Sequence, residues 1–270
     1  MKISVVTICF NAEEVIEKTI LSVVYQTYRD IEYIIIDGGS RDNTMNIVNS
    51  YKDSIDVVVS EPDKGIYDAM NKGIKCSTGD WIIFMNAGDS FYNESVVERF
   101  VPLINKDTII AHGDIMVVAE HFKYHIKPTP IERMKHRMAV KHQATFVKTE
   151  FHKQHPFDSW FRSSGDYDFF YKAYYNYNVN FQYIPICVAN FATGGTSNVN
   201  FRRSFRENLR IWGKENDYLF RFKQEMMFIV WDLLRTIRLF FYSEKKRVEH
   251  ARKKAERIGR VYDIDEVVNI

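Results

Sequence analysis

The hydrophobic positions of the N-terminal 90 residues form short apolar runs separated by helical stretches. Runs rich in β-branched residues predict strands at 2–10, 32–37, 55–60 and 81–85. Helices are predicted between them, where Asn11 can cap the first, Asp42 opens the second and Gly65 begins the third. This alternation predicts an α/β fold with a mostly parallel sheet flanked by helices.

Beyond about residue 105 the apolar runs become shorter and less regular. They predict further strands at 108–112, 121–127, 140–147 and 181–191. One helix is predicted to begin near Asp166, and the pattern from 205 to 260 is helical. We therefore expect an α/β domain over residues 1–204 and a helical extension over 205–270.

Composition and charge narrow the class of protein. The chain has 270 residues and a net charge of +2, which argues against a surface built to hold nucleic acid. Its three cysteines, Cys9, Cys76 and Cys187, are too scattered for a disulfide framework and fit a reducing cytoplasm. The N-terminal residues lead into a strand without a cleavage-site pattern, so we do not expect export.

The C-terminal extension is predicted to be amphipathic and basic. Apolar residues recur at three-and-four spacing at Met226, Ile229, Val230, Leu233, Leu234, Ile237, Phe240 and Phe241. Asp232, Arg235 and Arg238 interrupt this segment, so a membrane-spanning helix is not predicted. The apolar face can pack on its own domain, or residues 219–260 can make a peripheral membrane contact, which the basic run after Tyr242 favours.

Three aspartates follow predicted strands, at the sheet edge where ligands of such folds bind. They are Asp37, Asp63 and Asp89. Each alone can be a turn or cap residue, because aspartate favours both positions. Their shared placement at strand ends predicts a site for a phosphate-bearing ligand.

Four segments in order resemble the family 2 glycosyltransferases, which adopt the GT-A fold. They are VVTICFN at 5–11, IDGGSRDNT at 36–44, EPDKGIYDAMNKG at 61–73 and MNAGD at 85–89. The resemblance covers about residues 1–200 and implies that 1–204 is the catalytic domain. It is strongest to bacterial enzymes that build capsule or exopolysaccharide units of the colanic-acid type.

The resemblance implies a binding site for a nucleotide sugar. It puts Thr7, Asn11 and Asp37 around the base and ribose, and a carboxylate that accepts the imide N–H of uracil favours a uridine diphosphate donor. Further nucleotide-sugar-binding candidates are Gly38, Asp63, Lys64, Asp68, Asn86 and Asp89.

The resemblance also implies a divalent cation, Mn²⁺ or Mg²⁺, bound at Asp89. This residue matches the last carboxylate of the family's DxD element, where a hard cation bridges protein oxygens and the two phosphates. The sequence departs from the common form at Gly88, where many relatives have another aspartate. Asn86 and Asp89 are then the oxygen ligands.

Inverting sugar transfer needs a base that removes the proton of the acceptor hydroxyl. The SGDYD segment at 164–168 resembles the family's late acidic motif, which implies that Asp166 is that base. The alternative is an ordinary N-cap, because a helix N-terminus favours an anionic side chain in either role. His142, Gln143 and Gly195 are further candidates for contact with the acceptor or the diphosphate.

We therefore expect an inverting glycosyltransferase on the inner face of the cell membrane, with a polyisoprenyl-linked saccharide as acceptor. The alternative is a non-catalytic module that binds nucleotide sugar or membrane. Nucleotidyl transfer is disfavoured, because the loop after the first strand is acidic and lacks a glycine- and lysine-rich phosphate loop. Processive synthesis is disfavoured because no QxxRW element occurs.

Overall fold

The computed structural model describes residues 1–192, 201–264 and 266. The strands are β1 (Ile3–Cys9), β2 (Ile31–Asp37), β3 (Val57–Ser60), β4 (Trp81–Phe84), β5 (Ser90–Phe91), β6 (Ile110–Val118), β7 (Phe122–Ile126), β8 (Thr145–Lys148), β9 (Phe181–Ala192) and β10 (Arg260–Asp263). The helices are α1 (Ile16–Val24), α2 (Thr44–Ser50), α3 (Ile66–Cys76), α4 (Val96–Phe100), α5 (Thr149–Gln154), α6 (Gly165–Tyr175), α7 (Phe201–Ile211), α8 (Tyr218–Phe241) and α9 (Glu244–Glu256).

One central sheet runs in the order β10-β7-β6-β8-β4-β1-β2-β3. The pairs of β1 with β2, β1 with β4 and β2 with β3 are parallel, whereas β8 joins β4 and β6 in antiparallel pairs. Strand β9 lies off this path and pairs in parallel with β6 and antiparallel with β5. The expected α/β fold with helices on a mostly parallel N-terminal sheet is confirmed.

Both faces of β1, β2 and β4 are buried, as their apolar sequences predict, whereas the edge strand β3 is half-buried. One face packs against α1 through residues such as Ile16 and Ile20, which are fully buried. The other face packs against α3 and α6 through Met70, Tyr67 and Phe170. Because helices cover the faces, a ligand has access only at the ends of the strands, where the acidic residues lie.

Two local predictions are wrong. Helix α1 begins at Ile16 after Val15 and has no side-chain cap, so Asn11 does not cap it. The strand predicted at 140–147 begins only at Thr145, because His142–Ala144 forms a 3-10 helix. This short helix sets His142 and Gln143 beside the ends of the parallel strands instead of within a ladder.

The C-terminal segment is helical from Phe201 to Glu256, with breaks near Gly213 and Ser243. It then returns to the sheet, since β10 pairs antiparallel with β7, with Val261 opposite Tyr124. The sequence did not predict this strand. None of the helices that the structure describes has the length and apolar character required to cross a membrane.

Candidate active site

The loops after β1 and β2 are joined to each other at the carboxyl edge of the sheet. The backbone N–H of Asn11 donates to Ser40 Oγ at 2.8 Å, and Asn11 Oδ1 accepts from the N–H of Arg41 at 2.9 Å. Asn11 adopts a left-handed backbone conformation with φ 46°, which asparagine tolerates. The predicted nucleotide-binding residue Asn11 therefore fixes one loop against the other.

Asp37 ends β2, and its carboxylate organises the loop that follows. It accepts the N–H of Gly39 at 3.2 Å and of Ser40 at 3.1 Å, and the hydroxyl of Ser60 at 2.7 Å. Burial acts to raise the pKa of Asp37, but the hydroxyls of Ser40 and Ser60 and these N–H groups lower it overall. Asp37 is fully buried, so it shapes the loop instead of presenting an open carboxylate.

Gly38 leaves the space in which Asp63 approaches the loop. A Cβ atom at Gly38 would lie 2.4 Å from Asp63 Oδ2 and 3.3 Å from the ring of Phe10. Asp63 in turn accepts the N–H of Gly65 at 2.7 Å, and Asp68 accepts the N–H of Lys64 at 2.9 Å. The structure therefore brings Gly38 and Asp63 together and ties Lys64 and Asp68 into the adjoining turn.

Thr7 lies within β1 and is fully buried, in contrast to the exposed loop residues beyond it. Its hydroxyl donates to the carbonyl oxygen of Met85 at 2.8 Å and lies 3.1 Å from Tyr33 Oη. The structure places Thr7 inside the sheet, where it ties β1 to the end of β4.

Asp89 lies in the loop between β4 and β5, where buried Thr19 of α1 holds the backbone. Thr19 donates its hydroxyl to the carbonyl oxygen of Asp89 at 2.7 Å and accepts the N–H of Gly88 at 3.0 Å. Gly88 has φ 97°, a conformation that disfavours other residues. Burial raises the pKa of Asp89 to about 6, although the charge of His142 and a hydrogen bond from Gln143 act in the opposite direction.

Asn86, His142 and Asp166 form a chain of hydrogen bonds across the sheet edge. Asn86 Nδ2 lies 3.3 Å from His142 Nε2, and His142 Nδ1 lies 3.1 Å from Asp166 Oδ2. Because an ionised carboxylate only accepts, His142 Nδ1 donates to Asp166 Oδ2. The other amide atom, Asn86 Oδ1, is buried without a partner among the described residues.

Asp166 lies in the first turn of α6 with its carboxylate 16% exposed. Its Oδ1 accepts the hydroxyl of Tyr67 at 3.1 Å and the N–H of Tyr167 at 2.9 Å. Burial acts to raise the pKa of Asp166, but the hydrogen bond and charge of His142 lower it overall. Asp166 is thus held ionised, oriented on both oxygens and still open to solvent.

The geometry identifies three residues near the site that the sequence analysis missed. Phe10 is 61% exposed beside Gly38, Tyr67 contacts Asp166, and Glu207 binds the backbone just before Asp166. Phe10 carries a signal in the sequence, because a large aromatic residue directly after a strand end is unusual for an exposed loop. Tyr67 and Glu207 carry no such signal in the sequence, because their partners are distant along the chain.

Most of the predicted site residues therefore gather at one edge of the sheet. Gln143 is buried and bonded to Asp89, which joins the acidic loop to the Asn86, His142 and Asp166 chain. Gly195 lies outside the described residues. Among the described residues no cluster of three or more His, Cys, Asp or Glu side chains forms a metal site by protein ligands alone.

This fold and site define an α/β transferase of the GT-A type. The family model described as Glycosyl transferase family 2 matches residues 4–170. The chain therefore belongs to glycosyl transferase family 2, and it is a glycosyltransferase.

Comparison with known proteins gives relatives of the same kind. The chain is 27% identical over 213 residues to a PGL/p-HBAD biosynthesis glycosyltransferase of Mycobacterium bovis, covering 76% of this chain and 83% of the relative. Its fold resembles that of S. aureus TarS 1-349 in complex with UDP, with a TM-score of 0.62, 19% identity and 80% of this chain covered.

A second solved structure with a similar fold is the mannosyltransferase PcManGT from Pyrobaculum calidifontis in complex with GDP-Man and Mn²⁺. It superposes with a TM-score of 0.61 at 14% identity over 79% of this chain. The chain spans 65% of the TarS chain and 63% of the PcManGT chain, so these likenesses concern the fold.

Proposed function

We propose that this protein is an inverting glycosyltransferase that moves a sugar from a nucleoside diphosphate to an acceptor hydroxyl. The observation that carries the proposal is the pairing of Asp166 with His142 at 3.1 Å beside the loop of Asn86 and Asp89. A direct displacement requires an ionised base on the acceptor side and charge-neutralising groups on the diphosphate side. Asp166 supplies the first requirement, and the Asn86–Asp89 loop would meet the second by holding a divalent cation.

The donor nucleotide is proposed to bind against the loops after β1 and β2. Phe10 offers an exposed aromatic face for a nucleobase, since ring stacking tolerates a flat polar partner. Asp63 and Lys64 lie where the chain turns toward α3, beside the space left by Gly38. Uridine diphosphate is the preferred carrier, which the UDP complex of TarS supports, and GDP, as in PcManGT, is the competing carrier.

The residues present fit a divalent cation at Asp89, either Mn²⁺ or Mg²⁺. Asp89 is a buried carboxylate whose pKa is raised, and Asn86 Oδ1 is a buried oxygen without a partner among the described residues. A site with one or two protein oxygens is typical of Mg²⁺ sites that take their other ligands from phosphates and water. A bound cation would offset the negative charge that develops on the departing diphosphate.

The proton balance of the reaction follows from the Asp166 contacts. The acceptor oxygen attacks the anomeric carbon as the bond to the diphosphate oxygen breaks, and the acceptor proton passes to Asp166. His142 and Tyr67 orient the carboxylate through one oxygen each. Because both donate to the ionised form, they hold Asp166 in the state that can accept the proton.

The test uses the full chain with uridine, guanosine and thymidine diphosphate sugars, Mn²⁺ or Mg²⁺, and an extract of lipid-linked saccharide acceptors. We expect acceptor-dependent release of nucleoside diphosphate from one uridine donor, and loss of this release in Asp166→Asn. Tight nucleotide binding without release from any donor would contradict the proposal and indicate a non-catalytic module.

We further propose that the acceptor is polyisoprenyl-linked and that the protein meets it at the membrane in cell-surface polysaccharide synthesis. Support comes from α8, on which ten apolar side chains are more than 40% exposed. These are Leu219, Phe222, Met226, Ile229, Val230, Leu233, Leu234, Ile237, Phe240 and Phe241. This exposure favours an interaction surface over packing of this face on its own domain.

The side of α8 that faces α7 carries two acidic residues and the buried Phe228, which packs on Phe205 of α7. Glu225 pairs with Arg206 at 3.0 Å and Asp232 pairs with Arg202, both on α7. The exposed apolar side chains therefore point away from α7. Large exposed apolar patches mark interaction surfaces. From 244 to 260 there are eight Lys or Arg residues against three Glu, which complements anionic lipid headgroups.

Flotation with vesicles of phosphatidylcholine, with and without phosphatidylglycerol, tests the lipid contact. We expect binding that requires the anionic lipid and is lost when Ile229 and Leu233 are both replaced by glutamate. Replacing Leu103, which is 51% exposed outside α8, by glutamate is the matched control. Absence of vesicle binding together with a dimer that the double replacement dissociates would instead assign the face to a second copy.

A further inference from the structure

The carboxylate of Glu207 on α7 is buried against the segment that precedes the proposed base. The side chain is 5% exposed, which is rare for glutamate. Its Oε1 accepts the N–H of Arg162 at 3.0 Å, and its Oε2 accepts the N–H of Ser163 at 2.9 Å and of Ser164 at 2.8 Å. One carboxylate thus binds three consecutive backbone N–H groups.

These three N–H groups lie directly before α6, whose first turn carries Asp166. Ser164 is the N-terminal boundary residue of that helix, and no side chain of α6 itself caps it. A carboxylate at this position satisfies otherwise unpaired N–H groups and faces the positive end of the helix dipole. Glu207 therefore fixes the segment that enters α6, because it binds the N–H of the boundary residue and of the two residues before it.

A second contact, from Trp212 directly after α7, lies on the other side of the base. Trp212 Nε1 donates to Tyr167 Oη at 2.8 Å, and Tyr167 Oη donates to the carbonyl oxygen of Met134 at 2.6 Å. Glu207 therefore holds the backbone N–H of Ser164 before Asp166, and Trp212 holds the side chain of Tyr167 after it.

We propose that Glu207 is a positioning residue for the transfer reaction: it fixes the start of α6 so that Asp166 meets His142 and Tyr67. The inference rests on the proposed role of Asp166 as base. It extends the functional unit beyond residue 204, into the segment that the sequence assigned to a separate extension. A displacement of about 1 Å in a catalytic group is enough to slow turnover by about two orders of magnitude.

Glutamine at position 207 tests this role with little change in volume. Its amide keeps one accepting oxygen, which can replace Oε2, but its NH₂ group then faces the N–H of Arg162, so at least one of the three bonds is lost and the others lose the carboxylate charge. Aspartate keeps the charge on a shorter side chain and restores part of the set. Glu225→Gln, an exposed glutamate on α8 paired with Arg206, is the matched control.

The experiment measures kcat, donor KM, nucleotide affinity and thermal midpoint for each full-length variant with the donor identified by the release assay. We expect Glu207→Gln to lower kcat about 10- to 100-fold with donor KM and nucleotide affinity changed less than about threefold. Glu207→Asp should recover part of the kcat, and Glu225→Gln should match the parent protein.

Two results would overturn the inference. One is an unchanged kcat in Glu207→Gln, and the other is a parallel loss of kcat, nucleotide affinity and thermal midpoint in both position-207 variants, which marks a purely structural role. The assignment of Asp166 as the base is tested independently of Glu207. If that assignment is wrong, Asp166→Asn keeps its activity, regardless of the activity of Glu207→Gln.

Discussion

The proposed site has a nucleotide side, formed by the loops of Asn11, Asp37 and Asp63, and a transfer side, formed by Asn86, His142 and Asp166. The polar groups of the two sides find their hydrogen-bond partners in different ways. On the nucleotide side, Asp37 binds the N–H groups of Gly39 and Ser40, and Asp63 binds that of Gly65, all within three residues along the chain. These loops are built from local hydrogen bonds of the kind that aspartate forms in turns. The nucleotide side therefore combines local turns with bonds between its loops, such as those of Asn11 to Ser40 and of Asp37 to Ser60.

On the transfer side, every contact of the Asp166 side chain to another side chain is distant in sequence. His142 is 24 residues away and Tyr67 is 99 residues away, while Asn86 and His142 are 56 residues apart. This side exists only when β4, α3, α6 and α7 are packed together. We therefore expect substitutions on the transfer side to lower turnover and those on the nucleotide side to weaken donor binding.

The largest effect is expected for Asp166→Asn. Without an ionised carboxylate the acceptor proton has no base, and general-base catalysis contributes about 10²- to 10⁴-fold to a rate. We expect kcat to fall about 1,000-fold while donor affinity stays within about twofold. Steady-state transfer assays and nucleotide-binding titrations measure the two quantities separately.

Asp168→Asn is the control for Asp166→Asn, because it removes a carboxylate from the same turn of α6. Asp168 pairs with Lys172 at 2.6 Å and makes no hydrogen bond with His142 or Tyr67 among the described residues. Because its buried carboxylate has no part in the proposed proton transfer, kcat should remain within about threefold of the parent value. Equal losses in the two variants would argue that the helix, not the base, is being damaged.

Asp89→Asn is expected to have the second-largest effect and to separate function from stability. Loss of the carboxylate should lower cation-dependent transfer about 100-fold, because neutralisation of the diphosphate charge is weakened. Because Asp89 must be ionised to bind a cation and its pKa is about 6, the cation concentration needed for turnover should rise as the pH falls through about 6.

The same variant should be more stable at neutral pH. Because burial raises the pKa of Asp89 to about 6, the ionised side chain destabilises the fold at every pH above that value. This penalty disappears as the pH falls toward the ordinary pKa of aspartate. The thermal midpoint of Asp89→Asn should exceed that of the parent protein at pH 7.5 and match it near pH 4; an equal midpoint at pH 7.5 would contradict the assignment.

The difference between the two sides also explains what the sequence could reveal. Local sequence patterns indicate where the strands end, which acidic residues follow them and where α6 begins. The α/β fold and the positions of Asp37, Asp89 and Asp166 could therefore be predicted. Turn chemistry and helix N-termini depend on residues within a few positions of one another.

The partners of Asp166 could not be predicted, because they depend on how helices pack over long distances. The sequence pattern indicates that Tyr67 is one more apolar position of an amphipathic helix. It indicates that Glu207 is a solvated charge on a basic, polar helix. Strand β10 was missed for a related reason, since the four residues Arg260–Asp263 gain strand structure only by pairing with β7.

His142→Ala is expected to have the third-largest effect. It removes the donor to Asp166 Oδ2 and leaves Asn86 Nδ2 without its acceptor, so the base loses orientation but remains ionisable. We expect kcat to fall about 30-fold, within the range for a positioned catalytic group. His142→Gln, which can bond both neighbours, should recover part of the loss, and equal kcat values for the two variants would contradict a hydrogen-bonding role.

The smallest effect is expected on the nucleotide side, at Asp37→Asn. The amide nitrogen replaces one oxygen that accepts from Gly39, Ser40 or Ser60, so the loop beside Gly38 loses a hydrogen bond worth about 1 to 2 kcal/mol. Because this loop is proposed to bind the donor and not to take part in proton transfer, we expect donor KM to rise about tenfold with kcat nearly unchanged. Initial-rate measurements over a range of donor concentrations give both values, with Ser50→Ala on exposed α2 as control; a fall in kcat at constant KM would erase the distinction between the two sides.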